Sequence, residues 1–257
     1  MTIPYNVSKT GIMDQLIQYF EWVKIDNTNL LKPKWHPEDS KIYITKKELY
    51  ALADLIHNTL YDNHPKLKAF VEYLEDMAGV FQKLGLPLTW VTPSGLTVKQ
   101  NYVAYKTIRV KANFNDNKYT IKVPTDKTQL SKQKAGFMPN LVHSMDAANI
   151  FLMIDFLIKQ NKYINIFTVH DCFATSPYFI ENINSIVRYA FLLIYSDNKY
   201  IDNLHKHCIE NISSTYTINE DNTVTNSLDQ RFRIPTPPKC EDLNLREILE
   251  KAIYFIH

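Results

Sequence analysis

In the C-terminal half of the chain, Ile164-Asn-Ile-Phe-Thr-Val-His-Asp-Cys-Phe-Ala-Thr175 sets a His-Asp pair between two short runs of β-type residues. An aspartate held between two strands can present its carboxylate to a hard cation such as Mg²⁺ while the strands keep it fixed. Asp171 is the candidate metal ligand and His170 its neighbour, although the same dipeptide also serves as an ordinary turn. His143 and Asp146 lie three residues apart in an apolar stretch and therefore share a helix face. A single histidine on a helix is commonly a structural donor. A third group is ionic: between Lys99 and Lys134, nine basic residues stand against two acidic ones, giving that segment +7. The whole chain carries +2, so the remainder carries −5. Within the basic segment, Lys106, Arg109, Lys111, Lys118 and Lys122 are candidate DNA contacts, interleaved with Tyr102, Tyr105, Phe114 and Tyr119. Lysine and arginine clustered in one segment suit the phosphates of a nucleic acid, and a solvated surface hairpin has the same composition.

The elements that must position these groups follow from periodicity. Apolar residues at Ile12, Leu16, Ile17, Phe20 and Val23 predict an amphipathic helix from a Ser8 cap to Lys24. A polar connection follows over 27–40. Helical patterns cover 46–61 and 65–84, the first introduced by a Thr45/Glu48 capping box. After Gly85 the period becomes two: strands are expected at 89–92, 96–105, 107–114 and 118–123. Turns are expected at Pro93-Ser-Gly95 and Asn115-Asp116-Asn117. The basic segment is thus a hairpin of about 106–123. Helices are expected over 140–158 and 180–195, with short strands at 164–169 and 172–176 on either side of His170-Asp171. Residues 211–238 read as a polar surface excursion, and 244–255 as a final helical stretch.

Composition narrows the function classes. With 257 residues, 45% hydrophobic and 22% charged, the chain can bury a real core. Five glycines, none closely spaced, exclude the Rossmann fingerprint and the phosphate-cradling P-loop. Three scattered cysteines build neither a disulfide framework nor a C-x-x-C zinc site. The longest unbroken apolar runs fall short of the ~20 residues of a membrane span, so no membrane partner is expected. The N-terminus has neither a secretory nor an import pattern. Only five of the 29 basic residues are Arg, and Ile, Asn and Tyr abound, which is the usage of an AT-rich genome.

Val169-His-Asp-Cys-Phe-Ala-Thr175 resembles the third polymerase motif of the bacteriophage-type single-subunit DNA-directed RNA polymerases, mitochondrial ones included. Three more stretches match in the same order. Met1-Thr-Ile-Pro-Tyr-Asn-Val-Ser-Lys9 resembles the end of the second motif. Trp90-Val-Thr-Pro-Ser-Gly95 and Gly136-Phe-Met-Pro-Asn-Leu-Val-His-Ser-Met-Asp146 resemble landmarks on either side of the basic hairpin. Asp242-Leu-Asn-Leu-Arg-Glu-Ile-Leu-Glu250, with Tyr254-Phe255, resembles the family's C-terminus.

The resemblance implies an α+β right-hand polymerase fold. Residues 1–138 would form a mainly helical fingers portion carrying the basic hairpin. Residues 139–257 would form a palm portion with a short antiparallel sheet. It implies template-dependent ribonucleotidyl transfer with two Mg²⁺ ions, one lowering the pKa of the attacking 3′-hydroxyl and one neutralising the leaving pyrophosphate. Asp171 would bind metal, and His170 would support the site or the RNA end. Tyr5 would sense the incoming nucleotide, and His143 would lie near the nascent duplex. The partners are a DNA template, an RNA product and ribonucleoside triphosphates.

Asn6 stands where most of the family has Gly, as in the mitochondrial-plasmid branch. That branch and the AT bias together point to a mitochondrion. The family's other metal-binding aspartate and its triphosphate-holding Arg and Lys lie upstream of the stretch that matches Met1. Two expectations follow: a C-terminal polymerase part that is inactive without the missing N-terminal portion, or a catalytically inactive remnant that at most binds nucleic acid. An A-family DNA polymerase is a more distant match, because that family has Glu where Cys172 stands.

Overall fold

The computed structural model describes residues 7–34, 42–111, 117–160, 164–169, 172–196, 199–239 and 245. Helices and short antiparallel sheets are mixed, so the α+β expectation holds. The chain divides into two compact units between Glu72 and Tyr73.

In the first unit, helix α1 (Lys9–Leu16) starts at Ser8, whose hydroxyl accepts the Gly11 N–H at 3.1 Å. The helix expected to reach Lys24 gives way after a short 3-10 turn. Strand β1 (Phe20–Ile25) pairs with β2 (Thr28–Pro33) across Asp26-Asn27, both at positive φ. That two-residue turn matches the right-handed twist of its strands, and Phe, Trp, Val and Ile favour the extended chain. Leu31, in the stretch expected to be a connection, is fully buried with Ile12, Met13, Leu49 and Ala53. Helix α2 (Lys46–Asn63) begins with the expected capping box: Thr45 Oγ1 accepts the Glu48 N–H at 3.2 Å, and Glu48 Oε2 accepts the Thr45 N–H at 2.7 Å. These hydrogen bonds hold the Glu48 carboxyl below its usual range. Helix α3 (Pro65–Lys83) runs across the division between units.

The second unit is built on α3 and α4. Tyr73, Leu74, Met77, Ala78 and Phe81 are buried on α3, each large apolar side chain contributing about 1.5–3 kcal/mol by leaving water. Gly85 at positive φ ends this helix: its N–H reaches Gln82 O, and the Leu86 N–H reaches Phe81 O. Strands β3 (Leu88–Val91) and β4 (Thr97–Gln100) form the first hairpin, turning at Gly95 as expected. The single strand expected over 96–105 is interrupted at Asn101-Tyr102. Beyond the break, β5 (Val103–Lys111) pairs with β6 (Lys118–Thr128). Residues 112–116, which include Phe114 and most of the expected turn, lie outside the described residues.

Helix α4 (Leu130–Lys159) starts ten residues before the expected Asn140 and carries Pro139 inside it. Gly136 and Pro139 hide this start, since both lower helix propensity, and packing of Phe137, Met138 and Leu141 overrides them. By length and composition α4 is the one helix among the described residues that could cross a membrane, although Asp146 and Asp155 keep its unbroken apolar runs short. A third of its most apolar stretch is buried inside the protein. Strands β7 (Ile166–Val169) and β8 (Cys172–Thr175) precede helix α5 (Ile180–Tyr195), whose bounds match those expected. Helix α6 (Tyr200–Ser213) was not expected. The stretch 211–238 is more than a surface excursion, because β9 (Thr223–Thr225) pairs with β10 (Arg231–Arg233) and both Val224 and Ile234 are fully buried. All but one residue of 240–257, including the expected final helix, lie outside the described residues.

Candidate functional site

The β7–β8 pair stands on the layer made by α4 and α5. Met153 and Leu157 of α4 and Ile183, Ile186 and Val187 of α5 form its buried base, with Ile166 and Phe173 packed on it. Alternation along the strands turns Phe167 and Val169, 68% and 51% exposed, to the opposite face. Thr175 Oγ1 donates to Asn165 O at 2.8 Å at the far end of the ladder. Cross-strand partners run from Ile166↔Thr175 to Val169↔Cys172, so the expected strand–His-Asp–strand arrangement has both its strands. His170 and Asp171 lie outside the described residues, as does Tyr5. Cys172 is exposed.

His143 and Asp146 are both exposed on consecutive turns of α4, on one face as their spacing required. The Asp146 charge faces Tyr195 of α5, whose phenol is raised mainly by burial and secondarily by that carboxylate. Among the described residues there is no group of three or more His, Cys, Asp or Glu that could hold a metal ion. A lone carboxylate at Asp171 is a hard-oxygen donor suited to Mg²⁺, but it is one ligand and not a set.

The basic hairpin is longer than expected and strongly exposed; every side chain from Tyr105 to Lys111 and from Lys118 to Lys122 faces solvent. Its register pairs Thr107↔Lys122, Arg109↔Thr120 and Lys111↔Lys118, placing Arg109, Lys111, Lys118 and Lys122 on one face. Lys106 pairs with Val123 and falls on the other face. Like charges opposite one another, as at Lys111 and Lys118, weaken a ladder by a few tenths of a kcal/mol up to about 1 kcal/mol.

The hairpin is rooted in α4 by a polar network that inspection of the sequence missed. Gln100 Nε2 donates to Gln133 O at 2.7 Å, and Gln133 Nε2 returns to Gln100 O at 2.9 Å. Gln133 Oε1 accepts the Tyr102 N–H at 3.1 Å; Asn140 Nδ2 donates to Gln100 Oε1 at 2.7 Å and to the Tyr102 hydroxyl at 3.0 Å. Gln100 and Gln133 are buried, and this reciprocal bonding satisfies groups that would otherwise cost about 1–3 kcal/mol each. Tyr102 thus belongs to the root, not to the exposed ribbon. Below it, Trp90 is fully buried: its Nε1 donates to Ser144 Oγ at 2.9 Å, and its ring meets Phe137 at 5.3 Å. The only sequence signal for this root was the stretch from Gly136 to Asp146, which held Gly136 and Asn140 without showing what they touch.

A family model described as DNA-dependent RNA polymerase matches residues 1–255. The chain is 35% identical over 219 residues to a probable DNA-directed RNA polymerase of Podospora anserina, covering 84% of this chain and 23% of that one. It is 30% identical over 277 residues to one of Neurospora crassa, covering 100% and 31%. It is 25% identical over 203 residues to the mitochondrial DNA-directed RNA polymerase of Mus musculus, covering 78% and 17%. The chain therefore spans less than a third of the length of these relatives, and it matches their C-terminal part.

Proposed function

The chain belongs to the DNA-dependent RNA polymerase family, and from that membership we propose that it is the C-terminal part of a DNA-directed RNA polymerase that joins ribonucleotides on a DNA template. The reading is carried by one observation. Within a chain matched from residue 1 to 255, the two strands that flank His170-Asp171 pair in register on a packed α4–α5 base. A stiff seat of this kind suits a carboxylate that must hold its position through repeated turnovers. In this reading the fold is a right hand, with fingers in 1–138 and palm in 139–257.

Asp171 would hold Mg²⁺, and His170 beside it would support the RNA end. Bound Mg²⁺, two ions in the complete enzyme, supplies acidification of the attacking 3′-hydroxyl and charge neutralisation on the departing pyrophosphate. The remaining ligands and the triphosphate-holding cations come from polypeptide upstream of the matched segment. Tyr5 stacks on the incoming nucleotide and hydrogen-bonds its sugar. His143 faces the nascent duplex from the exposed side of α4. Arg109, Lys111, Lys118 and Lys122 take DNA phosphates on one face of the hairpin, with Lys106, on the other face, contributing less to DNA binding; a polyanion would also relieve the Lys111–Lys118 repulsion. The names of some relatives include a mitochondrial location, and this chain is proposed to work there.

The test is template-directed incorporation of ribonucleotides with Mg²⁺. The isolated chain gives none; supplied with the upstream portion of a polymerase it incorporates, and Asp171→Asn abolishes the signal. Incorporation by the chain alone, or activity of the pair that survives Asp171→Asn, overturns the reading. DNA binding without incorporation by the pair identifies an inactive remnant instead.

A further inference from the structure

The two faces of the β5–β6 hairpin differ in kind. Opposite the cationic face, Ile108 pairs with Ile121 and Val110 with Tyr119, so four apolar side chains stand side by side. They are 38%, 46%, 40% and 47% exposed, respectively. On strands, residues of this type on one face are ordinarily the covered face of a sheet. A two-stranded ribbon by itself is only marginally stable in water, so whatever covers these side chains also stabilises the ribbon. Phosphate is a poor cover for an aliphatic cluster, and the opposite face already offers the cations that phosphate requires. A polypeptide surface fits.

The source of that polypeptide follows from the match. The chain corresponds to the C-terminal part of relatives that are about three to five times its length. Two further elements also leave apolar rows exposed: Leu52, Leu55 and Ile56 on α2, and Phe151, Ile154 and Ile158 on α4. Exposed apolar clusters on several elements are the mark of surface that another part of an assembly covers. We infer that the face formed by Ile108, Val110, Tyr119 and Ile121 docks on the polymerase polypeptide that precedes the matched segment, so that the hairpin is held by protein on one side and reads nucleic acid on the other. The identity of the docked polypeptide rests on the polymerase reading above.

The test mixes the full 257-residue chain with the separately expressed portion of the Neurospora crassa relative that precedes its matched segment, and measures association by titration. The double variant Ile108→Thr/Ile121→Thr keeps the β-branching that favours strands, and circular dichroism checks that it folds. The expected result is a loss of association of at least tenfold, with DNA affinity and its salt dependence unchanged. Lys118→Gln/Lys122→Gln does the reverse, keeping association and weakening DNA binding. The inference is overturned if the unsubstituted chain does not associate, if the Thr pair associates as tightly as the parent, or if the Thr pair loses DNA instead, which would assign the apolar face to nucleic acid. The catalytic reading fails separately: incorporation by the mixed pair that survives Asp171→Asn defeats that reading and leaves the docking face standing.

Discussion

The ring of Tyr102 lies so close to the α-carbon of Gly136 that a Cβ there would stand 2.8 Å from Tyr102 Cε2 and 3.1 Å from its hydroxyl oxygen. The glycine sits inside α4, where an alanine would ordinarily favour the helix by about 1 kcal/mol. Its value here is the close approach, which lets the first residue before β5 lie on the helix, donating its N–H to Gln133 Oε1 and accepting from Asn140 Nδ2 at its hydroxyl.

Gly136→Ala is therefore expected to destabilise the protein by about 1–2 kcal/mol, because overpacking against a hydrogen-bonded ring exceeds the gain in propensity. In a Tyr102→Ala background the same change is expected to stabilise. Denaturant unfolding of the four proteins of the cycle measures the coupling. Additive effects would show that the ring and the glycine do not constrain each other.

Neutralising Lys111, Lys118 and Lys122 to Gln removes three cations from one face of the ribbon. If each meets a phosphate, the slope of log K against log salt becomes shallower by about 2.7 for duplex DNA. Fluorescence titrations at several salt concentrations read this directly. Lys106→Gln, on the apolar face, is expected to change the slope by less than any one of the three. An unchanged slope in the triple variant would return the hairpin to a solvated surface feature.

The Tyr73 hydroxyl and His205 Nδ1 are 3.0 Å apart. Burial holds the imidazole below its ordinary value, partly opposed by Asp202, while burial raises the Tyr73 phenol and keeps it protonated. The hydroxyl then donates to a neutral ring. Because the folded-state pKa of His205 lies below the unfolded one, the unfolded chain takes up the proton first as pH falls. The contribution is fully present above about pH 6.5 and is lost as pH falls from there through the lower folded value. His205→Gln keeps an acceptor for Tyr73 without titrating. The Tm difference between parent and variant is expected to shrink or reverse between pH 7 and pH 5, and a difference independent of pH would exclude the histidine as its source.

Local chemistry was legible where one short-range interaction decides the structure. The Thr45/Glu48 box, the Gly95 turn, the Ser8 cap and the bounds of α5 depend on residues within four positions of one another, and each stands as expected. Errors fell where a distant partner outvotes the local pattern. Phe20 to Lys24 carries a helical spacing, yet pairing with Thr28–Pro33 draws it into a strand. Leu130 to Pro139 has Gly and Pro against a helix, yet burial of Phe137 and the Gln133–Gln100 exchange make it one. Val224 and Ile234 sit in a polar stretch and are nonetheless core.

The sequence by itself determined the chemistry on offer: a strand–His-Asp–strand motif, a basic ribbon, too few glycines for a phosphate loop, and ordered motifs that named the family. These are properties of residue type and spacing, which a linear chain already contains. Only the tertiary structure decided that the ribbon has a cationic face and an apolar one, and that Tyr102 leaves it to lock onto Gly136. Strand register and close approach arise from pairing between distant segments. One residue of slip would move every side chain of the ribbon to the other face.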